Sequence, residues 1–323
     1  MMPWIAALLA ALLSAGLVRL LWSGPLADLV VDIPNDRSLH VRPTPRTGGL
    51  GLMVAAMGTA LLLGGGPASI ILPATVLAAL FLADDVGGLS VTTRFAAQFA
   101  AAIVFLLWSG AGPFWLLPLL LVGIVWSTNL YNFMDGSNGL AGGMAVVGFG
   151  AYAIAAGSAG ATDIAILSAA VAGAAAGFLL WNFDPARIFL GDAGSIPLGF
   201  MAAAIGVLGW QRGLWPFWFP ILVFAVFIVD SGLTLAKRLI HRENPFKAHR
   251  SHYYQRLIRM GWSHRRLALS AYALMLATAA TALAARTASP LTATFVLALW
   301  VAGILAISVL VDRRWRASPV RGT

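Results

Sequence analysis

Residues 129–140 read NLYNFMDGSNGL, a polar stretch that lies between two long apolar segments. Asn129, Asn132 and Asp135 are spaced at i, i+3 and i+6, so they project near one face if the preceding helix continues through them. The glycines after Asp135 let the backbone leave the helix and approach a ligand closely. Amides and a carboxylate at a membrane-helix end suit a phosphosugar or a hydrated metal ion. The alternative is a polar cap in an ordinary turn.

Apolar residues dominate the rest of the chain. Of the 323 residues, 60% are hydrophobic and only 10% are charged, whereas about 25% are charged in soluble domains. A membrane span needs about 20 apolar residues. We therefore predict an all-α integral membrane protein, one polytopic domain over residues 1–323 with about eleven spans. The predicted spans are Pro3–Trp22, Gly48–Leu63, Pro67–Ala83, Phe95–Trp108, Pro113–Leu130, Leu140–Ala156, Ile164–Trp181, Ser195–Trp210, Leu214–Ala236, Leu267–Ala285 and Pro290–Val311.

The absence of cysteine and the start of the chain exclude two further features. The chain has no cysteine, which excludes disulfides and thiolate metal sites. The first apolar run lacks a basic segment before it, and Arg19 follows it instead. We therefore expect a retained span and not a signal peptide.

The basic residues predict the orientation. With the N-terminus outside, 19 of the 21 Lys and Arg residues fall in inside segments, and only Arg212 and Arg286 fall outside. The positive-inside rule then places the C-terminus in the cytoplasm, with short outer loops. The polar motifs also fall on the cytoplasmic face, which favours an enzyme with a membrane lipid as partner over a transporter. The basic face suits anionic lipid headgroups, and no nucleic-acid partner is expected.

The first inside loop, residues 32–51, reads DIPNDRSLHVRPTPRTGGLG. Its prolines favour an extended backbone over a helix. Arg42 and Arg46, with Arg37 and His40 nearby, are candidate phosphate contacts beside glycines that allow close backbone approach. The alternative is that the arginines anchor the loop to lipid headgroups.

Two adjacent acids, Asp84 and Asp85, end the third span. Neighbouring carboxylates repel each other unless a divalent cation or a basic group balances them. We expect this pair to bind a metal or to accept a proton from a phosphate or water. The alternative is a pair of solvated charges, which the helix dipole disfavours at a carboxyl end.

A third acidic motif lies in residues 181–199, WNFDPARIFLGDAGSIPLG. Asp192 lies between two glycines near the start of the eighth span. Free N–H groups at a helix N-terminus favour anions, so a carboxylate with a bound metal can share a phosphate there. The alternative is that Asp192 or Ser195 only caps the helix.

The last inside loop contains AHRSHYYQRL, which predicts a short amphipathic helix. His249, Arg250 and His252 would clamp a pyrophosphate above the acids; the alternative is a basic helix lying on the membrane. Asp230 lies inside the ninth span, where a lone charge costs about 2.5–3.5 kcal/mol. We expect an ion pair with Lys237, seven residues on, or a catalytic role.

Five motifs in order, DIPNDRSLHVRPTPRTGGLG, DDVGGLS, NLYNFMDGSNGL, FLGDAGSIPLG and ENPFKAHRSHYYQRL, resemble the polyprenyl-phosphate N-acetylhexosamine-1-phosphate transferase family. By this resemblance, Asp84 and Asp85 match the family's paired aspartates. Asn132 and Asp135 match positions implicated in nucleotide-sugar binding and catalysis.

The resemblance also implies the remaining contacts. Phe189 looks like the residue that stacks on uracil, and Asp192 looks like the principal Mg²⁺ ligand, with Mn²⁺ as a substitute. His249 and His252 fall in the family's histidine-rich loop. The chain departs from the family at Asn138, which replaces a second acid and must bind substrate by hydrogen bonding. The looser histidine loop is more similar to the O-antigen and common-antigen branch, so lipopolysaccharide biosynthesis is the expected context.

The reaction implied is transfer of N-acetylhexosamine-1-phosphate from a UDP-sugar to polyprenyl (undecaprenyl) phosphate in the bacterial inner membrane. Mg²⁺ held by Asp192, with an acid among Asp84, Asp85 and Asp135, would bridge the diphosphate, and Asp84 would remove the last acceptor proton. Arg42, Arg46, His249 and Arg250 would hold phosphates. Two alternatives are a lipid-linked sugar flippase and a CDP-alcohol phosphotransferase. The sugar, and whether the chain forms a homodimer, stay open.

Overall fold

The computed structural model describes residues 1–25, 27, 29–34, 39, 42–110, 112–244 and 249–319. Its helices are α1 (Met2–Ser23), α2 (Gly48–Leu62), α3 (Ala68–Gly87), α4 (Val91–Ser109), a 3₁₀ turn (Phe114–Leu116), α5 (Leu117–Phe133), α6 (Leu140–Ser158), α7 (Thr162–Asn182), α8 (Asp192–Gln211), α9 (Trp218–Val223), α10 (Ala225–Ile240), α11 (Tyr253–Arg259), α12 (His264–Ala285) and α13 (Pro290–Ala317). Two short strands, β1 (Val31–Asp32) and β2 (Thr44–Pro45), pair antiparallel.

The prediction of an all-α integral membrane protein is confirmed. Within the described ranges, nine helices are long and apolar enough to cross a membrane. The other two predicted spans are also helical: α2 has only 15 residues, and the segment before residue 240 is divided into α9 and α10 at Phe224. The count of eleven spans and the orientation stay predictions.

Helix α8 lies at the centre of the bundle and α13 at its edge. In an 18-residue apolar window, 83% of α8 is buried, compared with 11% of α13. Helices α6 and α7 are also mostly buried, at 67% and 72% of the same window. The first residue of α8 is therefore fixed by packing on most sides, and Asp192 occupies that position.

Small residues allow α1 to lie directly against α7. A Cβ added at Gly177 would be 2.2 Å from the carbonyl oxygen of Ala11, and one added at Gly173 would be 2.0 Å from that of Ala7. Close backbone approach at small residues is the usual way in which membrane helices associate, since lipid tails remove the hydrophobic drive between helices.

Backbone hydrogen bonds attach the first loop to the segment before α8. The amide of Phe189 donates to the carbonyl of Pro45 at 2.7 Å, and the amide of Gly48 donates back to Phe189 at 3.0 Å. The amide of Arg46 donates to Val30 at 3.0 Å. This places Arg46 beside the N-terminus of α8, at the end of the bundle where α3 and α5 finish.

We predict that Gly177→Leu destabilises the protein by about 3 kcal/mol, the upper end for overpacked cores, because its side chain would meet the α1 backbone. The thermal midpoint in detergent measures this effect. Gly58→Leu is the matched control, since an added Cβ at Gly58 meets nothing within 4 Å. Equal midpoints for the two variants would contradict the α1–α7 packing.

Candidate active site

A polar cavity of about 150 Å³ lies where the helix ends meet. It is lined by residues from the first loop, the α5–α6 loop, the end of α7 and the start of α8 and α12. The lining residues are Asp32, Leu39, Arg46, Asn132, Asp135, Gly136, Ser137, Asn138, Asn182, Phe189, Gly191, Asp192 and His264. Six predicted site residues are therefore in one cavity: Arg46, Asn132, Asp135, Asn138, Phe189 and Asp192.

The N-terminus of α8 holds Asp192 toward this cavity, with 20% of its side chain exposed. Gly191 precedes it with φ of 72°, a left-handed conformation that favours glycine. A Cβ at Gly191 would also be 2.2 Å from the carbonyl oxygen of Arg46. Neither Asp192 nor Ser195 caps α8 with its side chain, so the capping alternative is wrong. Ser195 instead donates from Oγ to Asn132 Oδ1 at 3.0 Å, joining α8 to α5.

Asp85 takes over the capping of α8 from another helix. Its Oδ2 accepts from the amide of Ala193 at 3.1 Å, and its Oδ1 accepts from Arg46 Nη2. Arg46 also lies 4.0 Å from Asp192 Oδ1. Burial alone would lower the pKa of Arg46, but the nearby carboxylates raise it overall, so the guanidinium stays charged.

Asp84 does not line the cavity, and its predicted metal and base roles stay predictions. Its Oδ2 lies 2.8 Å from Arg94 Nε, and its Oδ1 accepts from the amide of Leu89 at 2.5 Å. Successive residues of an α-helix point about 100° apart, so Asp84 and Asp85 face different neighbours once α3 continues past them. Both side chains are 1% exposed, which rules out a pair of solvated charges. In this structure Asp84 stabilises the α3–α4 turn.

Asp135 follows the end of α5 and is partly exposed in the cavity. Its pKa is raised, first by burial and then by the carboxylates of Asp192 and Asp85, while Arg46 opposes the shift. Three acids thus surround one guanidinium. A proton or a cation must balance the remaining charge, and the two compete for the carboxylates. As the pH falls, protons should therefore displace the cation at a higher pH than they would from an ordinary aspartate, whose pKa is about 3.9.

The donor set fits a magnesium ion that is shared with a substrate. In the part of the chain that the structure describes, no three His, Asp or Glu side chains are grouped to hold a metal alone. Mg²⁺, however, usually takes one or two protein carboxylates and completes its shell with water and phosphate oxygens. Asp135 and Asp192 supply those carboxylates in one cavity. Asp85 is already bound to Arg46 and Ala193.

The neutral polar residues of the cavity join its walls. Asn138 donates from Nδ2 to Asp184 Oδ1 at 2.9 Å, which fixes the α5–α6 loop to the segment after α7. Asn132 lines the cavity one turn before Asp135. Phe189 presents the aromatic side chain of the cavity wall. These positions agree with the predicted contacts to a nucleotide sugar, which stay predictions.

Asn129 and Arg42 are also outside the cavity lining. Asn129 faces α4, where its Nδ2 donates to Gln98 Oε1 at 2.6 Å and to the carbonyl of Val125 at 2.8 Å. Its amide is therefore used in helix packing. Arg42 is exposed on the first loop. Arg37 and His40 lie outside the described residues.

The histidine loop forms a second cluster that does not line the polar cavity. His249 and His252 are stacked with ring centroids 5.1 Å apart. Burial, followed by the charge of His252 and nearby arginines, lowers the pKa of His249 to about 4. At pH 7 this shift favours the neutral ring, and the phosphate contact of His249 stays a prediction. Arg250 beside it is half-buried.

Asp230 does not pair with Lys237, so that prediction is wrong. Asp230 accepts hydrogen bonds from the start of α11, and Lys237 pairs with Asp312 on α13. Each of the two residues has a partner on a different helix, α11 for Asp230 and α13 for Lys237. The spacing of seven residues along α10 could not indicate these partners.

Sequence reasoning missed four polar residues of the cavity: Asp32, Ser137, Asn182 and His264. His264 bridges two loops, with Nδ1 2.8 Å from Ser137 Oγ and Nε2 3.1 Å from the carbonyl oxygen of Leu39. Asn182 accepts from the amide of Gly139 and donates to the carbonyl of Ile188, both at 2.9 Å. A buried amide at the end of an apolar helix was the available signal for Asn182.

Comparison with known proteins identifies relatives of this chain among membrane transferases. Residues 67–209 match the model of the family described as glycosyl transferase family 4. The chain is 31% identical over 262 residues to a probable undecaprenyl-phosphate N-acetylglucosaminyl 1-phosphate transferase of Bacillus subtilis, covering 75% of this chain and 73% of the relative. It is 33% identical over 293 residues to a decaprenyl-phosphate N-acetylglucosaminephosphotransferase of Mycolicibacterium smegmatis, covering 75% and 72%.

A phospho-N-acetylmuramoyl-pentapeptide-transferase of Halalkalibacterium halodurans is 35% identical over 157 residues, covering 48% of this chain and 46% of the relative. Fold, site and relatives together define a multi-pass membrane enzyme that transfers a sugar phosphate to a lipid carrier. The chain belongs to the polyprenyl-phosphate N-acetylhexosamine-1-phosphate transferase family. The family match rules out the flippase and CDP-alcohol alternatives.

We predict that Arg46→Met lowers the free energy of unfolding by about 3 kcal/mol, because it leaves Asp85 buried without its partner. Thermal unfolding in detergent measures the loss. Arg42→Met, at an exposed arginine of the same loop, is the control. The double variant Arg46→Met/Asp85→Asn should regain part of the stability, and a single Arg46 variant as stable as the Arg42 control would refute the buried pair.

Proposed function

We propose that this enzyme transfers N-acetylhexosamine-1-phosphate from a UDP-sugar to polyprenyl phosphate, with undecaprenyl phosphate as the bacterial acceptor. An oxygen of the acceptor phosphate attacks the β-phosphorus of the UDP-sugar. The bond between that phosphorus and the bridging oxygen breaks, UMP leaves, and a polyprenyl pyrophosphoryl sugar forms. The observation that carries the proposal is the cavity that brings Asp135, Asp192 and Arg46 together from three distant segments.

Charge neutralisation is the main demand of this reaction, because two anions must meet and a third anion must leave. Arg46 keeps its charge in the cavity and is positioned to face a diphosphate oxygen. The positive end of the α8 dipole lies beside Asp192, and such helix ends favour phosphate. Asn132 and Asn138 add hydrogen-bonding amides to the same wall.

Asp135 and Asp192 would hold Mg²⁺, or Mn²⁺ in its place, together with the diphosphate. When bound, the ion would offset the negative charge of the diphosphate oxygens and polarise the phosphorus under attack. Asp85 supports this arrangement from behind: it fixes Arg46 and the first turn of α8, so both metal-side and phosphate-side groups keep their positions. The predicted metal and base roles of Asp84 are not part of this proposal.

The remaining predicted contacts take peripheral roles. Phe189 offers a ring face for the uracil base, as the family resemblance implies. Arg42 and Arg250 supply positive charge outside the cavity for the phosphate of the incoming lipid. His252 and neutral His249 supply ring nitrogens for contacts with the lipid phosphate. None of these groups has to carry the diphosphate alone, because Arg46 already lies in the cavity.

The acceptor chain would occupy an apolar cavity of about 390 Å³ between α5, α8, α9 and α10. Two of its walls lead directly to the site, since α5 ends just before Asp135 and α8 begins at Asp192. A larger apolar cavity of about 610 Å³ lies between α10, α11, α12 and α13. We favour the first because both of those walls carry site residues.

The biological setting follows from the reaction. The enzyme would lie in the bacterial plasma membrane with the cavity toward the cytoplasm, where UDP-sugars are available. It would start the synthesis of a lipid-linked cell-envelope glycan as one domain over residues 1–323. N-acetylglucosamine, named in the relatives' descriptions, is the first sugar to test. The O-antigen context and a homodimer stay predictions.

Asp192→Asn should reduce UMP release from UDP-N-acetylglucosamine and undecaprenyl phosphate by at least about 100-fold, the order for loss of one electrostatic group at a transition state. Melting temperature should change little. Asp163→Asn is the control, because Asp163 lies at the far end of the bundle and forms an exposed ion pair with Arg212 at 2.7 Å. Near-normal turnover in the Asp192 variant would remove the assignment.

Gly123→Trp should raise the KM for undecaprenyl phosphate about 10-fold. Gly123 lines the 390 Å³ cavity, and an added Cβ there meets nothing within 4 Å. The Trp side chain would displace about two methylene groups of the lipid chain from the cavity. At about 0.8 kcal/mol each, their loss corresponds to that change in KM. Gly58→Trp, on an open face of α2, serves as control. An unchanged KM for the lipid would place the acceptor elsewhere, whereas the KM for the UDP-sugar should stay constant in both variants.

A further inference from the structure

Asp230 is a buried carboxylate that the proposed reaction does not use directly. It lies on α10 with 8% of its surface exposed. Oδ1 accepts from the amide of Tyr253 at 3.0 Å, and Oδ2 accepts from the amide of Tyr254 at 2.9 Å. A buried carboxylate needs such donors to offset lost hydration. Its hydrogen bonds therefore fix the start of α11 to α10.

The same carboxylate also fixes one ring nitrogen of His252. His252 Nδ1 lies 3.0 Å from Asp230 Oδ1. Since a carboxylate only accepts, Nδ1 must carry the hydrogen. In the neutral ring the other nitrogen, Nε2, then carries the free lone pair. Asp230 thus selects the tautomer of the neutral imidazole, as the carboxylate does in the carboxylate–histidine pair of a hydrolase.

Helix α11 is joined in turn to the loop that carries Asp135. The hydroxyl of Tyr254 donates to the carbonyl of Phe133 at 3.0 Å. The same hydroxyl is 2.1 Å from where a Cβ at Gly136 would lie. The rings of Phe133 and His252 have centroids 6.0 Å apart. A displacement of α11 would therefore reach the residues on either side of Asp135.

Ionisable groups from α10, the histidine loop and α11 surround the pair of His249 and His252. They are Asp230, Arg238, Tyr254 and Arg256. Arg238 donates to the carbonyl of Asn244, and Arg256 is bound to Asp312. Both arginines are therefore bound to other groups, whereas Asp230 is in direct contact with the His252 ring.

We propose that Asp230 is a positioning residue that holds His252 with Nδ1 as donor, so that Nε2 is presented to the phosphate of the lipid substrate. The inference rests on the proposed function. A lipid phosphate that still carries its last proton passes it to Nε2, and a fully ionised phosphate meets Nε2–H of the imidazolium. Both routes give the same pair, a phosphate dianion facing Nε2–H, with the positive ring balanced by Asp230.

The tautomer of His252 tests the proposal without any turnover. In ¹⁵N-histidine-labelled protein, the His252→Gln variant assigns the His252 signals among the five histidines. At a pH where this ring is neutral, wild type should show hydrogen on Nδ1 and none on Nε2. Asp230→Asn should bring in the Nε2–H form, because an amide can donate to Nδ1. A wild-type ring with its hydrogen on Nε2 would overturn the proposal, and this result needs no Asp230 variant that folds.

Kinetics distinguish positioning from a general structural role. Asp230→Asn should lower kcat/KM for undecaprenyl phosphate about 100-fold, the order of a proton-transfer or charge contribution, with the KM for the UDP-sugar unchanged. Asp230→Glu should recover part of the loss. In a His252→Gln background, Asp230→Asn should add no further loss, since groups that act as a unit are not additive.

Asp312→Asn is the matched control, because it removes a carboxylate from the same end of the bundle that binds Lys237 and Arg256. It should change kcat/KM for the lipid far less than Asp230→Asn does. An equal loss in the two variants, or a full further loss in the His252→Gln background, would contradict the positioning role. A wild-type protein that releases no UMP would instead refute the proposed function, whatever tautomer His252 adopts.

Discussion

The buried contact of Asp85 with Arg46 and with the first turn of α8 is the constraint on which the site depends. The side chain of Asp85 is 1% exposed, and its two oxygens bind groups from two other segments. A charge in this position is tolerable only when its donors are fixed. The pair therefore sets where the first loop lies against the central helix, and the direction of Asp192 follows from it.

The electrostatics of the cavity explain why the fold supports phosphoryl transfer. Burial raises the pKa of Asp135, and the carboxylates of Asp192 and Asp85 raise it further, while Arg46 offsets only part of their charge. A cavity with such an excess of negative charge repels a diphosphate unless a divalent cation enters with it. In the proposed function this excess would couple donor binding to metal binding, and the apolar cavity beside α5 and α8 would bring the lipid to the same place.

The sequence predicted the fold class and several residues of the polar cavity, because both depend on strong local patterns. Long apolar runs predict membrane helices, and polar residues at their ends stand out, so Asp135, Asp192 and Arg46 were found. Side-chain direction was beyond these patterns. Asp84 and Asp85 look equivalent in the sequence, but one more turn of α3 directs Asp84 to Arg94 and Asp85 to α8. Asn129 matched the spacing of a ligand, although its amide is used by Gln98. His264 and Asp230 have partners more than 20 residues away, which spacing cannot identify.

The most direct test of the central claim is the binding of Mn²⁺ in the presence of UDP, followed by electron paramagnetic resonance on purified protein in detergent. If carboxylates from distant segments share one metal diphosphate, Asp135→Asn and Asp192→Asn should each weaken Mn²⁺ binding by at least about 10-fold, about 1.4 kcal/mol, while Asp163→Asn binds as wild type does. Mn²⁺ binding that is unchanged in both cavity variants would contradict the account.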